Sequence, residues 1–334
     1  MTPAQKYENE QSYSEVKNTS GYRPLDVLFY YGYPNSFNSV TNQWYNEKVA
    51  QDMARYEMIV LGSGVQSPSH PDYANTQVII PRVQQINKDA KFYGYTVCTD
   101  SFSTFRTKAD QWNTLGTKGL FIDECGYDFS NTRAQQNQKI DYVHSLSVSN
   151  TCFISAWNMD HILGVANDPN YPNITYNPFL ADIHLTSNDW ILMESFPINT
   201  TSYSGNSGYE SGSEWCARGQ KALDLRKNHL VNFCGLGIIN NDNSSGNALF
   251  NFGYISSLIW SLDAYGTSDV NYGSGAQVNW WSRPDISALK EIFDIDSKVI
   301  NDALNSNVYF RFIRGGKLVL DFTASQQSSS IEKR

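Results

Sequence analysis

No apolar run in this chain approaches the ~20 residues needed to cross a bilayer, which argues against a membrane span. Clustered Lys and Arg are missing too: 25 basic residues face 33 acidic ones, for a net charge of −8. A surface that tracks phosphates needs concentrated positive charge, so nucleic-acid binding is not expected. The five cysteines include no CxxC pair, and Cys98, Cys125, Cys152 and Cys234 each fall in or at the end of an apolar run. A free thiol there behaves as a small hydrophobe, so reduced, buried cysteines are expected in place of a disulfide framework or a zinc site. The five histidines are scattered and lack metal-ligand spacing. No GxGxxG or GxxxxGKS loop marks a nucleotide site, and no metal or organic cofactor is expected.

What the chain does have is aromatic surface: 21 Tyr, 17 Phe and 8 Trp. Tyr and Trp join a flat apolar face to a polar tip, which suits sugar rings and wet grooves. Short apolar runs recur along the sequence, at 24–34, 57–64, 90–97, 119–124, 151–157, 189–196, 230–238 and 257–266. Most are continuously apolar, as parallel strands covered on both faces require. Helix-like stretches separate them at 43–55, 76–88, 105–115, 131–146 and 213–228. Eight strands alternating with helices predict a (β/α)8 TIM barrel over residues 24–305. Residues 306–323 alternate like a hairpin around Gly315-Gly316 and predict a small C-terminal β-appendage. Polar residues 1–23 and 324–334 read as a flexible lead-in and tail, consistent with a trimmed piece of a larger polypeptide.

In such a barrel, function sits at the C-terminal ends of the strands. The fourth run, "GLFIDE", ends in Asp123-Glu124, and the sixth, "WILMESF", carries Glu194 before Phe196. Tyr30, Tyr31 and Tyr33 end the first run, Tyr127 follows the fourth, Trp157-Asn158 end the fifth, and Asp263 and Tyr265 lie in the eighth. Acids and aromatics at one rim point to glycoside hydrolysis. One carboxyl protonates the leaving oxygen while the other attacks the anomeric carbon or activates water. Taken singly, each has a structural explanation: an acid at a strand end can cap a helix, and an aromatic can simply pack. Adjacent strand residues point to opposite faces, so Asp123 and Glu124 share a mouth only if the chain bends there. Asp123 is then expected to face the ligand, with Glu124 supporting the site.

"GLFIDECGYDF" (Gly119–Phe129) is similar to the Asp-Glu-ended strand of the spherulin-4-like glycoside hydrolases. More loosely, it resembles the Asp-ended strand of the endo-α-1,4-polygalactosaminidase-like barrels. The resemblance covers roughly residues 24–265. It implies a cofactor-free barrel that cleaves galactosamine-containing polysaccharides outside the cell or on its surface. By that resemblance Asp123 matches the nucleophile or electrostatic stabiliser, Glu124 the following acid, and Glu194 the proton donor. The sequence departs from the pattern at Cys125-Gly126-Tyr127 and in the Asn- and Ser-rich loop after Glu194. The alternative reading is a non-catalytic glycan-binding or structural barrel, such as a module of a phage tail or surface appendage.

Overall fold

Side chains along the continuous apolar runs alternate between two buried layers, and that alternation closes one barrel. The computed structural model describes residues 23–39, 45–147, 149–172, 175–199, 208–239, 246–269, 278–284, 286, 299–302, 305–313, 316–323 and 328–333. Strands β1 (Leu25–Tyr30), β2 (Met58–Leu61), β3 (Lys91–Val97), β4 (Gly119–Asp123) and β5 (Thr151–Ser155) pair in parallel, in chain order. β6 (Trp190–Asn199) carries a two-residue antiparallel addition, β7 (Gly208–Tyr209), outside the ring. β8 (Asn232–Ile238) and β9 (Ala264–Ser268) complete the eight barrel strands, and β9 closes on β1. This is the (β/α)8 barrel that the sequence predicts.

One layer fills the lumen with Val27, Phe29, Phe121, Phe153, Trp190 and Leu192 among others. The rings of Phe29, Phe121 and Phe153 meet edge to face, with centroids 5.3–5.7 Å apart. The other layer, with Leu28, Leu120, Ile122, Ile154 and Ile191, packs the barrel wall against helices. Those helices are α1 (Tyr45–Met53), α2 (Tyr73–Ile86), α3 (Phe102–Thr114), α4 (Arg133–Leu146), the short α5 (Asp160–Leu163), α6 (Gly212–His229) and α7 (Gly246–Ile259). Their starts follow local chemistry. Thr132 with Gln135 and Ser211 with Glu214 form capping boxes, and the Ser101 side chain accepts from Thr104 N.

Two expectations change. The run at 257–266 is not one strand: Ser257–Ile259 end α7, and the eighth barrel strand begins only at Ala264. The C-terminal hairpin is present as β11 (Asn305–Ile313) and β12 (Gly316–Asp321), but it is the middle of a four-stranded antiparallel sheet. β10 (Ile300–Asp302) flanks one side. Residues 328–333, read from sequence as tail, form β13 (Ser328–Lys333) along β12. This sheet docks on α6 and α7, where Tyr309 and Phe322 pack on Trp215 and buried Arg311 donates to the Ile259 carbonyl. The lead-in at 1–22 lies outside the described residues, as do 200–207 and 240–245 of the polar loops.

Candidate active site

Strand alternation raises a polar layer on the aromatic floor of the lumen. Two residues beyond Phe29, Tyr93, Phe121, Phe153 and Leu192 come Tyr31, Tyr95, Asp123, Ser155 and Glu194, all on the inward face at the strands' C-terminal ends. Tyr31 and Tyr95 meet edge to face at 5.0 Å. The Tyr95 hydroxyl donates to Asp123 Oδ2 at 2.9 Å, and Glu124 N donates to Asp123 Oδ1 at 2.8 Å. The Ser155 side chain lies close enough to this carboxyl to favour its ionised form. Burial above the phenyl floor pushes the Asp123 carboxyl above its usual range, while these donors pull it back. The Tyr95 phenol is raised by burial and then by the negative charge of Asp123, with smaller contributions from Glu124 and Glu194.

The chain does bend after Asp123. Glu124 has φ +54°, in the left-handed region that a non-glycine residue adopts at a cost. Its carboxyl swings to the loop after β3, where Oε2 accepts from Thr99 Oγ1 at 2.6 Å, and its carbonyl accepts from Asn131. The same device recurs on β6, where Ser195, directly after Glu194, also has φ +54°. There β6 bulges against β8: Glu194 pairs with Leu236 and Asn199 with Ile238, so residues 195–198 stand opposite Gly237 alone. Bulges that re-aim a side chain are common beside active sites.

Glu194 is reached by solvent, yet enough protein surrounds it that desolvation is the first cause of its raised pKa. The negative charge of Asp123 is the second cause, and Arg218 opposes both. A carboxyl that feels another's negative charge keeps its proton longer. Here that one is Glu194. Among the described residues, none hydrogen bonds to its carboxylate. Arg218, from α6, donates to the Glu194 carbonyl at 2.8 Å and pairs with Glu210. Its guanidinium lies 5.0 Å from the ring of Trp157 and 5.3 Å from that of Phe196.

The other sequence candidates divide. Trp157, 64% exposed, stands beside the acids through Arg218. Tyr33 is exposed, with its ring 4.8 Å from His70. Tyr30 faces the helices, against Phe37, and Phe196 and Tyr265 also point out of the lumen. A Cβ at Gly253 of α7 would overlap the Tyr265 hydroxyl, so that glycine is what admits the ring. Tyr127 is fully buried between His161 and Tyr176, at 4.6 and 4.8 Å. Asn158 donates to Asp168 within its own loop. Asp263 precedes β9, at the opposite end of the barrel, where it pairs with buried Arg226. Tyr95, Ser155 and Thr99 were not singled out from sequence, whereas Arg218 was, as a candidate partner of Glu194. The repeat of Tyr93 and Tyr95 on one strand face is the signal that would have found Tyr95.

One group among the described residues has metal-ligand geometry: His144, Cys152 and Asp189, with ligand atoms within 4.8 Å. It lies at the far end of the barrel. There the Asp189 oxygens accept from Cys152 N, Thr186 N and Thr186 Oγ1, and one of them bonds to His144 Nε2. These bonds tie the start of β5 to the start of β6. No helix among the described residues is long and apolar enough to cross a membrane.

No protein-family model matches this chain, and no curated protein matches its sequence. Solved structures resemble it in fold. Amy13B of Eubacterium rectale is 8% identical, with a TM-score of 0.50 over 92% of this chain and 88% of that one. The glycoside hydrolase domain of PelA from Pseudomonas aeruginosa is 9% identical, with a TM-score of 0.46 over 79% of this chain and 100% of that one. The sialic acid aldolase of Ruminococcus gnavus is 9% identical, with a TM-score of 0.39 over 74% of this chain and 68% of that one. At such identities the likeness is one of fold alone. Barrels of this kind host many chemistries, so the reaction has to be argued from the site.

Proposed function

We propose that this chain is a glycoside hydrolase that cleaves an amino-sugar-containing polysaccharide at a cell surface or outside the cell, with Asp123 and Glu194 as its acid–base pair. The observation that carries this reading is the placement of two differently bonded carboxyls on one inward-facing layer at the C-terminal ends of the strands. Asp123 is held by two hydrogen-bond donors, with Ser155 beside them, that favour its ionised form. Glu194 is raised by burial and by the Asp123 charge. Burial raises both carboxyls, but only Asp123 has hydrogen-bond donors to offset it, and such unlike surroundings assign the roles of base and acid. Glu194 gives its proton to the glycosidic oxygen, and Asp123 attacks the anomeric carbon or activates water as positive charge develops on the sugar ring. Glu124 keeps its carboxyl on Thr99 and holds the bend that aims Asp123. Tyr31 and Trp157 offer aromatic faces to the sugar units on either side, an arrangement suited to cutting within a chain.

The test is a screen of the purified protein against amino-sugar polymers and bacterial surface polysaccharides, with mass analysis of the products. Asp123→Asn and Glu194→Gln should each lower cleavage about 10²–10⁴-fold with the fold intact. Cleavage at the parent rate by both variants would sink the assignment. Binding of a polymer without cleavage would favour the non-catalytic barrel.

A further inference from the structure

All five cysteines are free thiols, and two of them meet beside the candidate acids. β3 and β4 are parallel neighbours with Val97 opposite Asp123, so Cys98 and Cys125 leave the barrel at the same end. The Asp123 carbonyl accepts from Cys98 N at 2.8 Å and also from Cys125 Sγ at 3.6 Å. One carbonyl thus gathers both residues. Both side chains enter the layer between barrel and helices, 2% and 1% exposed. The two thiols sit close enough to act on each other's ionisation. Buried Lys139, from α4, donates to the Cys98 carbonyl and, at 2.9 Å, to the Asp100 carbonyl. The reaction proposed above uses neither sulfur.

We propose that Cys98 and Cys125 form a dithiol that closes to a disulfide in an oxidising medium, locking the end of β3 to the residue that follows the Asp123-Glu124 bend. The oxidant is a low-molecular-weight disulfide. The Cys98 thiolate attacks one of its sulfurs, expelling one small thiolate and leaving a mixed disulfide on Cys98. Cys125 loses its proton and attacks the Cys98 sulfur, expelling the second small thiolate. Two protein thiols are oxidised to one disulfide, and one small disulfide is reduced to two thiols. The order of attack follows the electrostatics: Cys125 and then Lys139 hold the Cys98 thiol below its usual range, whereas burial pushes Cys125 up. Exchange needs only local opening of the turn after β3, not unfolding of the barrel. The pairing differs from the all-reduced state that the cysteine spacing predicts.

The experiment incubates the full chain with oxidised glutathione, then counts thiols in denaturant and maps disulfide-linked peptides. The expected count falls from five to three, with a single linked pair joining Cys98 to Cys125. Under the same treatment Cys98→Ser and Cys125→Ser each keep their four thiols free of an internal bond, while Cys216→Ser still loses two. Five persisting thiols, an unresolved mixed disulfide, or a linked pair involving any other cysteine would overturn the proposal. Should either serine variant fail to fold, the peptide map of the parent decides alone.

Discussion

The hydroxyl of Tyr95 on β3 donates to Oδ2 of Asp123 on β4 at 2.9 Å, so neighbouring strands supply an acid and the donor that steadies its charge. This bond, with that from Glu124 N and the nearby Ser155, offsets part of the cost of setting a carboxylate on a phenyl floor. Tyr95→Phe removes a donor that favours the ionised form, so the Asp123 pKa should rise further. The acidic limb of the pH–rate profile then moves to higher pH, and kcat/KM at its optimum falls about 10-fold or more, the worth of a hydrogen bond to a charge. A profile superimposable on the parent's would remove Tyr95 from the site.

Glu194 makes stability depend on pH in a stated direction. Its folded pKa lies above the value near ~4.3 expected for an unfolded chain. Below both values the carboxyl is protonated in either state and contributes nothing. As pH rises through the folded value, the ionised group destabilises the fold, and the effect levels off above it. Glu194→Gln should therefore melt with the parent in acid and above it at neutral pH, modestly, because solvent screens an exposed group. A variant less stable than the parent at pH 7 would contradict the shift.

Arg218 opposes the rise in the Glu194 pKa. Arg218→Leu should let Glu194 hold its proton longer, moving the basic limb of the rate profile to higher pH. Trp157→Ala, which removes the exposed ring beside Arg218, should raise KM several-fold while kcat changes little, the pattern of lost uniform binding. Equal falls in kcat for both variants would show that the two act together on chemistry.

Asp263 separates stability from catalysis. It pairs with Arg226 at 2.5 Å and accepts from Phe233 N at 2.9 Å, buried at the end of the barrel remote from the acids. Asp263→Ala should cost about 3–5 kcal/mol in denaturant melts, because it strands a buried guanidinium. Its kcat should match the parent's below the melting range.

The barrel was legible because strands buried on both faces must be apolar throughout, and seven such runs fall where the barrel strands are. The eighth failed for the same reason. α7 is wedged between the barrel and the appended sheet and is apolar nearly all round, so its hydropathy imitated a strand. True β9 is short, polar at its end, and easily passed over. Continuous apolar runs also hide parity: Tyr30, Phe196 and Tyr265 could have faced either layer, and they pack outward. The adjacent acids were legible as a pair, but the bend between them was not. No glycine marks it, and the left-handed conformation of Glu124 is held by tertiary bonds to Thr99 and Asn131.

The four-stranded sheet holds none of the candidate catalytic groups, yet it packs on the helix that carries Arg218. Trp215, against which Tyr309 and Phe322 press, is three residues before Arg218 on α6, one turn along the same side of the helix. Contacts that hold Trp215 therefore also hold the turn of α6 from which Arg218 reaches the Glu194 carbonyl. A chain trimmed of its last 35 residues (300–334) would keep every candidate catalytic group. It would lose the contacts that brace Trp215 on the helix carrying Arg218.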